Sequence, residues 1–213
     1  MEKQKMSVTV DVLQTGPVSA NTYILTDKNT LQTAVIDTGE CTEKLLGMLE
    51  GKDVRYILLT HGHYDHILGV YKLKQKTGAE VVIHRLDADC LENGNKSLSA
   101  YSFNQHSVHA DRILDGGERI TLGETIIDVM HTPGHTPGGV CYILAKDRII
   151  FTGDTLFCGS VGRTDLPGGD WNTLRESLEK IAGLHGDYAV MPGHDISSTL
   201  DRERQTNMFL RGL

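Results

Sequence analysis

The segment Thr60-His61-Gly62-His63-Tyr64-Asp65-His66 constrains this chain more than any other. It follows Tyr56-Ile57-Leu58-Leu59, an uncharged run that reads as a fully buried strand. Residues two apart in an extended segment project to the same side, so His61 and His63 are able to grip one ion together. Where the chain then turns into a helix, Asp65 and His66 point elsewhere and are available to a second ion. Imidazole and carboxylate donors suit zinc, and also iron or manganese.

Three more candidates share one context. His135 lies in Thr132-Pro133-Gly134-His135-Thr136-Pro137-Gly138, Asp154 in Ile150-Phe151-Thr152-Gly153-Asp154, and His194 in Met191-Pro192-Gly193-His194. Each follows a glycine and comes just after a strand-like apolar run. Glycine allows a sharp turn and leaves no Cβ to obstruct a crowded site. Strand ends that each deliver one ligand are how a rigid scaffold assembles a site. His84, His106, His109, His131 and His185 lack this context and read as surface or satisfied core residues.

The surrounding pattern mixes strands and helices. Val8, Val10 and Val12 alternate with polar residues, and further β-rich runs fall at 22–26, 33–37, 54–60 and 81–83. Thr42 is a candidate cap for a helix carrying Leu45, Leu46 and Leu49. A second helix is expected from near Asp65 to Gly78. Residues 91–111 are a long polar stretch, either a functional flap or a plain surface loop. Strand-like runs follow at 119–122, 125–130, 140–144 and 148–152. A helix capped by Asp170 aligns Trp171, Leu174, Leu178 and Ile181 and stops at Gly183, then a strand at 188–191 and a short terminal helix complete the chain. The expectation is one α/β sandwich domain over 1–213, with a weak two-half organisation.

Composition weighs against several classes. The net charge of -7 gives no global attraction for nucleic acid or an anionic membrane. The charged start, Met1-Glu2-Lys3-Gln4-Lys5, has no leader-like apolar run, and no stretch of membrane-spanning length follows. Cys41, Cys90, Cys141 and Cys158 are scattered without metal or redox spacing. A cytoplasmic protein with free thiols is expected, and Cys158 reads as a packed small residue.

The order His61-x-His63-x-Asp65-His66, His135, Asp154, His194 resembles the metallo-β-lactamase superfamily across nearly the whole chain. The resemblance implies a four-layer αβ/βα sandwich holding two divalent cations, zinc foremost, where the sheets meet. It implies one ion on His61, His63 and His135, another on Asp65, His66 and His194, and Asp154 bridging both. Asp65 and Asp154 are its catalytic carboxylates, and Asp37 orients a ligand histidine, unless it only ends a strand. Asp154 and the segment Gly159-Ser160-Val161-Gly162-Arg163-Thr164-Asp165-Leu166-Pro167-Gly168-Gly169-Asp170 resemble short glyoxalase II-like hydroxyacylglutathione hydrolases. Gly16-Pro17, Asn21-Thr22-Tyr23 and Val35-Ile36-Asp37-Thr38-Gly39 fit the same pattern. That likeness implies hydrolysis of a small thioester, such as S-lactoylglutathione, by a hydroxide generated between the ions.

Arg163 is a candidate for holding a substrate carboxylate, with a salt bridge to Asp165 as the alternative. A short form without the helical C-terminal extension of long hydroxyacylglutathione hydrolases is expected, and Asp195-Ile196-Ser197 departs from the usual continuation after His194. Competing expectations are a persulfide dioxygenase-like enzyme with one iron on His61, His135 and Asp154, and a hydrolase of lactones, β-lactams or phosphodiesters. A non-catalytic metal-binding module is the alternative outside enzymes.

Overall fold

The computed structural model describes residues 6–213, so the charged start at 1–5 lies outside the described residues. The first half of the chain forms one six-stranded sheet in chain order: β1 (Val8–Thr15), β2 (Ala20–Asp27), β3 (Gln32–Ile36), β4 (Asp53–Leu58), β5 (Glu80–His84) and β6 (Arg112–Leu114). The first three strands are antiparallel and the rest parallel. Parallel neighbours require crossovers. These carry α1 (Glu43–Leu49) before β4, and α2 (Tyr64–Ile67) with α3 (Val70–Thr77) before β5.

The second half forms the other sheet from β7 (Arg119–Leu122), β8 (Thr125–His131), β9 (Val140–Leu144) and β10 (Ile149–Gly153). After a small hairpin, β11 (Leu156–Phe157) and β12 (Ser160–Val161), and α4 (Trp171–Ala182), it is completed by β13 (Ala189–Pro192) and β14 (Ser198–Thr199). The order is β14-β13-β10-β9-β8-β7, and α5 (Leu200–Thr206) follows. The expected two-half organisation is thus one sheet per half, dividing between β6 and β7.

Strand alternation makes the layers. Along β4, Tyr56 and Leu58 face the space between the sheets, whereas Ile57 and the following Leu59 face α1 and α3. Along β9, Val140, Tyr142 and Leu144 face inward, whereas Cys141 and Ile143 face α4. Both faces of each central strand are therefore covered, which is why these strands read as continuous apolar runs. The result is the expected αβ/βα four-layer sandwich. The Tyr142 hydroxyl donates to the Leu59 carbonyl at 2.8 Å and ties the sheets together beside the site.

Four expectations need correction. The helix from Asp65 to Gly78 is two helices. The Thr38 N–H takes the His66 carbonyl at 2.7 Å, and Gly69 packs so tightly that a Cβ there would lie 2.5 Å from the Thr38 methyl. Gly78, with φ of 71°, does end α3. Trp171 is 42% exposed and does not share the buried face of Leu174, Leu178 and Ile181. Val12 is 56% exposed, because β1 is an edge strand covered mainly near Val8. Residues 91–111 are anchored: Leu91 and Val108 lie in the core, and Phe103 stacks on Tyr64 with ring centroids 4.9 Å apart.

Candidate metal centre

Strand direction brings the candidates together. β3 and β4 run parallel, so Asp37 and the segment 60–66 leave the same edge of the first sheet. In the second sheet β8 and β10 are both antiparallel to β9, and β13 is parallel to β10. His135, Asp154 and His194 therefore leave one edge of that sheet, each from the carboxyl end of a strand. At Gly193 a Cβ would lie 2.1 Å from Asp154 Oδ1, so only glycine lets the last turn approach this closely.

All seven candidate ligands converge. His61, His63 and His135 form one compact trio, and Asp65, His66 and His194 another. His63 Nδ1 lies 2.9 Å from His135 Nε2, and His66 Nε2 lies 3.3 Å from His194 Nε2. Asp154 sits between the trios, its Oδ1 3.5 Å from His66 Nε2 and its Oδ2 3.5 Å from His135 Nε2. Oδ2 is also 3.6 Å from His194 Nε2. His61 Nε2 and Asp154 Oδ1 are buried without any hydrogen-bond partner. Orphaned buried acceptors are rare unless a further group satisfies them. This donor set, imidazole nitrogen and carboxylate oxygen converging in two groups, fits divalent cations of the zinc or iron type.

Outer hydrogen bonds fix which nitrogen faces inward. His66 Nδ1 donates to Asp37 Oδ2 at 2.9 Å, and His135 Nδ1 donates to the Arg163 carbonyl at 2.8 Å, so Nε2 faces the centre in both. Asp37, at φ of 54°, also accepts from the N–H and hydroxyl of Thr60, both at 2.8 Å. It is therefore an orienting residue and not merely a strand end. Asp37, His61 and His66 also lie close together, but His66 already spends Nδ1 on Asp37.

Burial, reinforced by the neighbouring histidines, pushes His61 well below the usual imidazole range and His63 down to about 3. Both are neutral, as ligation requires. Burial also opposes charge on His66, but Asp154, Asp65 and Asp37 outweigh it and raise its pKa. Burial works against ionised Asp65, yet His66 and His194 hold its carboxyl well below the ordinary range. Asp37, Asp65, Asp87 and Asp154 form no ion pair with Lys or Arg among the described residues.

A cleft of about 490 Å³ opens onto the centre. Val18, Leu98, Phe157, Val161 and Leu166 make its walls apolar, and Arg163 is its one Lys or Arg among the described residues. The Arg163 guanidinium pairs with both Asp165 oxygens at 2.7 Å in an exposed fork, the alternative foreseen for it. Cys158 does more than fill space, since Arg202 Nη1 donates to its sulfur at 2.7 Å. Of the five histidines set aside, His106, His109 and His185 are exposed. His84 is not fully satisfied: it is buried, stacks on His131 at 4.1 Å and leaves Nε2 unpaired.

Two supports escaped sequence reasoning. Asn21 Nδ2 and the Tyr23 hydroxyl donate to the Pro192 carbonyl at 3.0 and 2.7 Å, holding the His194 turn from the opposite sheet. Their only signal was the Asn21-Thr22-Tyr23 pattern. Asp87, in a 3-10 turn at Arg85–Leu91, had none.

The Metallo-beta-lactamase superfamily model matches residues 15–194. The chain belongs to that superfamily. Among curated members, Hydroxyacylglutathione hydrolase GloC of Haemophilus influenzae is 34% identical over 83% of this chain and 86% of its own. Among solved structures of the superfamily fold, the BLEG-1 B3 metallo-beta-lactamase superposes with a TM-score of 0.89 at 33% identity, covering 95% of this chain and 99% of that one. TTHA1623 in a di-iron-bound form gives 0.85 at 35%, covering 94% and 100%. ETHE1 from Myxococcus xanthus gives 0.78 at 27%, covering 96% and 85%. No helix among the described residues is long and apolar enough to cross a membrane.

Proposed function

We propose that this metallohydrolase-superfamily chain binds two divalent cations, most readily zinc, and hydrolyses a small thioester of the S-lactoylglutathione kind. His61, His63 and His135 hold one ion, Asp65, His66 and His194 the other, and Asp154 spans both. The observation that carries the reading is the position of Asp154, whose carboxylate lies within 3.6 Å of imidazole nitrogens from both trios. Likeness to GloC supports the thioester. Cations held there supply Lewis acidity and bring the pKa of water from about 15.7 toward about 7.

The protein's own groups do the rest. Asp37 and the Arg163 carbonyl lock His66 and His135 with Nε2 inward before any cation arrives, so binding requires little reorganisation. The apolar walls of the cleft take the acyl group and exclude bulk water. Arg163 is able to exchange Asp165 for a substrate carboxylate, because a solvent-exposed ion pair is screened and contributes little. No acid is needed at the leaving group, since a thiolate departs unaided. The one-iron reading uses His61, His135 and Asp154 and leaves four converging ligands idle.

β-Lactam hydrolysis is the second reading, favoured by the likeness to BLEG-1. One panel separates the readings: zinc-loaded protein with S-lactoylglutathione, an acyl-coenzyme A and a chromogenic cephalosporin, alongside iron-loaded protein with glutathione persulfide in an oxygen electrode. Thioester cleavage alone is the expected result. Oxygen uptake without thioester cleavage, or cleavage of the cephalosporin only, overturns the proposal.

A further inference from the structure

Asp87 is a carboxylate that the chemistry above does not use, yet it is 1% exposed and makes three short hydrogen bonds. Its Oδ2 accepts from the Gly62 N–H at 2.9 Å and the Thr136 hydroxyl at 2.7 Å, and its Oδ1 accepts from the Gly138 N–H at 2.7 Å. Gly62 sits between His61 and His63. Thr136 follows His135. The carboxylate therefore grips, from behind, the two turns that deliver one trio, and those turns come from different sheets. Backbone contact is equally close: a Cβ on Gly138 would lie 2.7 Å from Asp87 N, and one on Gly62 would lie 3.1 Å from its carbonyl oxygen.

Asp37 performs a parallel task on the other side, where it joins Thr60 to His66. No hydrogen bond among the described residues connects Asp87 to Asp65, His66 or His194. Burying an unpaired carboxylate is costly, and hydrogen bonds to an ionised acceptor are the strong ones that offset the cost. A neutral residue would make a cheaper core, so the charge at this position points to a role beyond packing.

We infer that Asp87 is a positioning residue for one cation only: it clamps the His61–His63 turn to the His135 turn and so sets the affinity of the three-histidine site. The inference rests on the two-site reading of the ligands, and the test separates the two. In Asp87→Asn, whichever way the amide is placed, its NH2 faces a backbone N–H, of Gly62 or of Gly138, that formerly donated, so one side of the clamp fails at nearly unchanged volume. Removing an outer partner of this sort typically costs about 10–100-fold in metal affinity.

The experiment is a zinc titration of metal-free protein by calorimetry, in two backgrounds that each keep one site. In His194→Ala, which retains the three-histidine site, Asp87→Asn weakens zinc binding by about 10–100-fold. In His135→Ala, which retains the Asp65, His66 and His194 site, it changes affinity less than twofold. Thr136→Val removes one of the three bonds and gives a smaller loss at the same site, which keeps the test decisive should Asp87→Asn fold poorly. Equal losses in both backgrounds, or no loss in either, overturn the clamp. A parent chain that takes up only one zinc overturns the two-site reading, and the clamp with it.

Discussion

At the scale of the residue, the environment divides four histidines into two kinds before any cation binds. His61 and His63 are held neutral by burial, whereas the carboxylates around His66 and His194 favour a proton on each. The sign follows directly. Loading the three-histidine site displaces no proton from His61 or His63 near neutrality. Loading the other site must displace protons from groups whose pKa is raised above 6.5. As pH falls from 8 toward 6, zinc affinity of the Asp65, His66 and His194 site should drop by about tenfold per unit for each displaced proton, whereas His61 and His63 add no such loss at the other site. Stepwise titrations at several pH values read this out, and parallel loss at both sites contradicts it. Asp154→Ala should lower the affinity of both sites at once and reduce turnover by more than 100-fold with the circular dichroism unchanged. Loss of one ion only would remove its bridging role.

At the scale of the element, sequence signals were reliable where the physics is local. Thr42 caps α1 through a bond from the Leu45 N–H at 3.1 Å, and Asp170 caps α4 through Thr173 at 2.7 Å, as their positions suggested. The candidate metal ligands were legible because they cluster in short motifs at strand ends. The break between α2 and α3 was not, since it depends on Thr38 taking the His66 carbonyl from a distant loop. Asp87 was illegible for the same reason: its partners lie 25, 49 and 51 residues away, and Asp89 beside it looks no different in sequence. β6, β11, β12 and β14, of two or three residues each, are too short to show a period. Local and site-linked elements should separate on mutation. Thr42→Ala removes a cap worth roughly 0.5–2 kcal/mol and should lower the melting temperature without altering zinc stoichiometry. Gly193→Ala should reduce zinc stoichiometry, because its Cβ would intrude on Asp154. Equal stoichiometry in the two variants contradicts this division.

At the scale of the whole molecule, two sheets built from successive halves of the chain each contribute ligands to one shared edge. His61, His63, Asp65 and His66 come from the first, and His135, Asp154 and His194 from the second. Each trio draws on both halves, so cations held at this edge would join the halves and would stabilise the folded state by binding it alone. The most direct measurement is anomalous diffraction from zinc-loaded crystals at the metal absorption edge. The account predicts two peaks about 3.5–4 Å apart, one beside each trio, with an Asp154 oxygen directed at each. A single peak beside His61, His135 and Asp154, or two peaks that leave either trio without an ion, would contradict it.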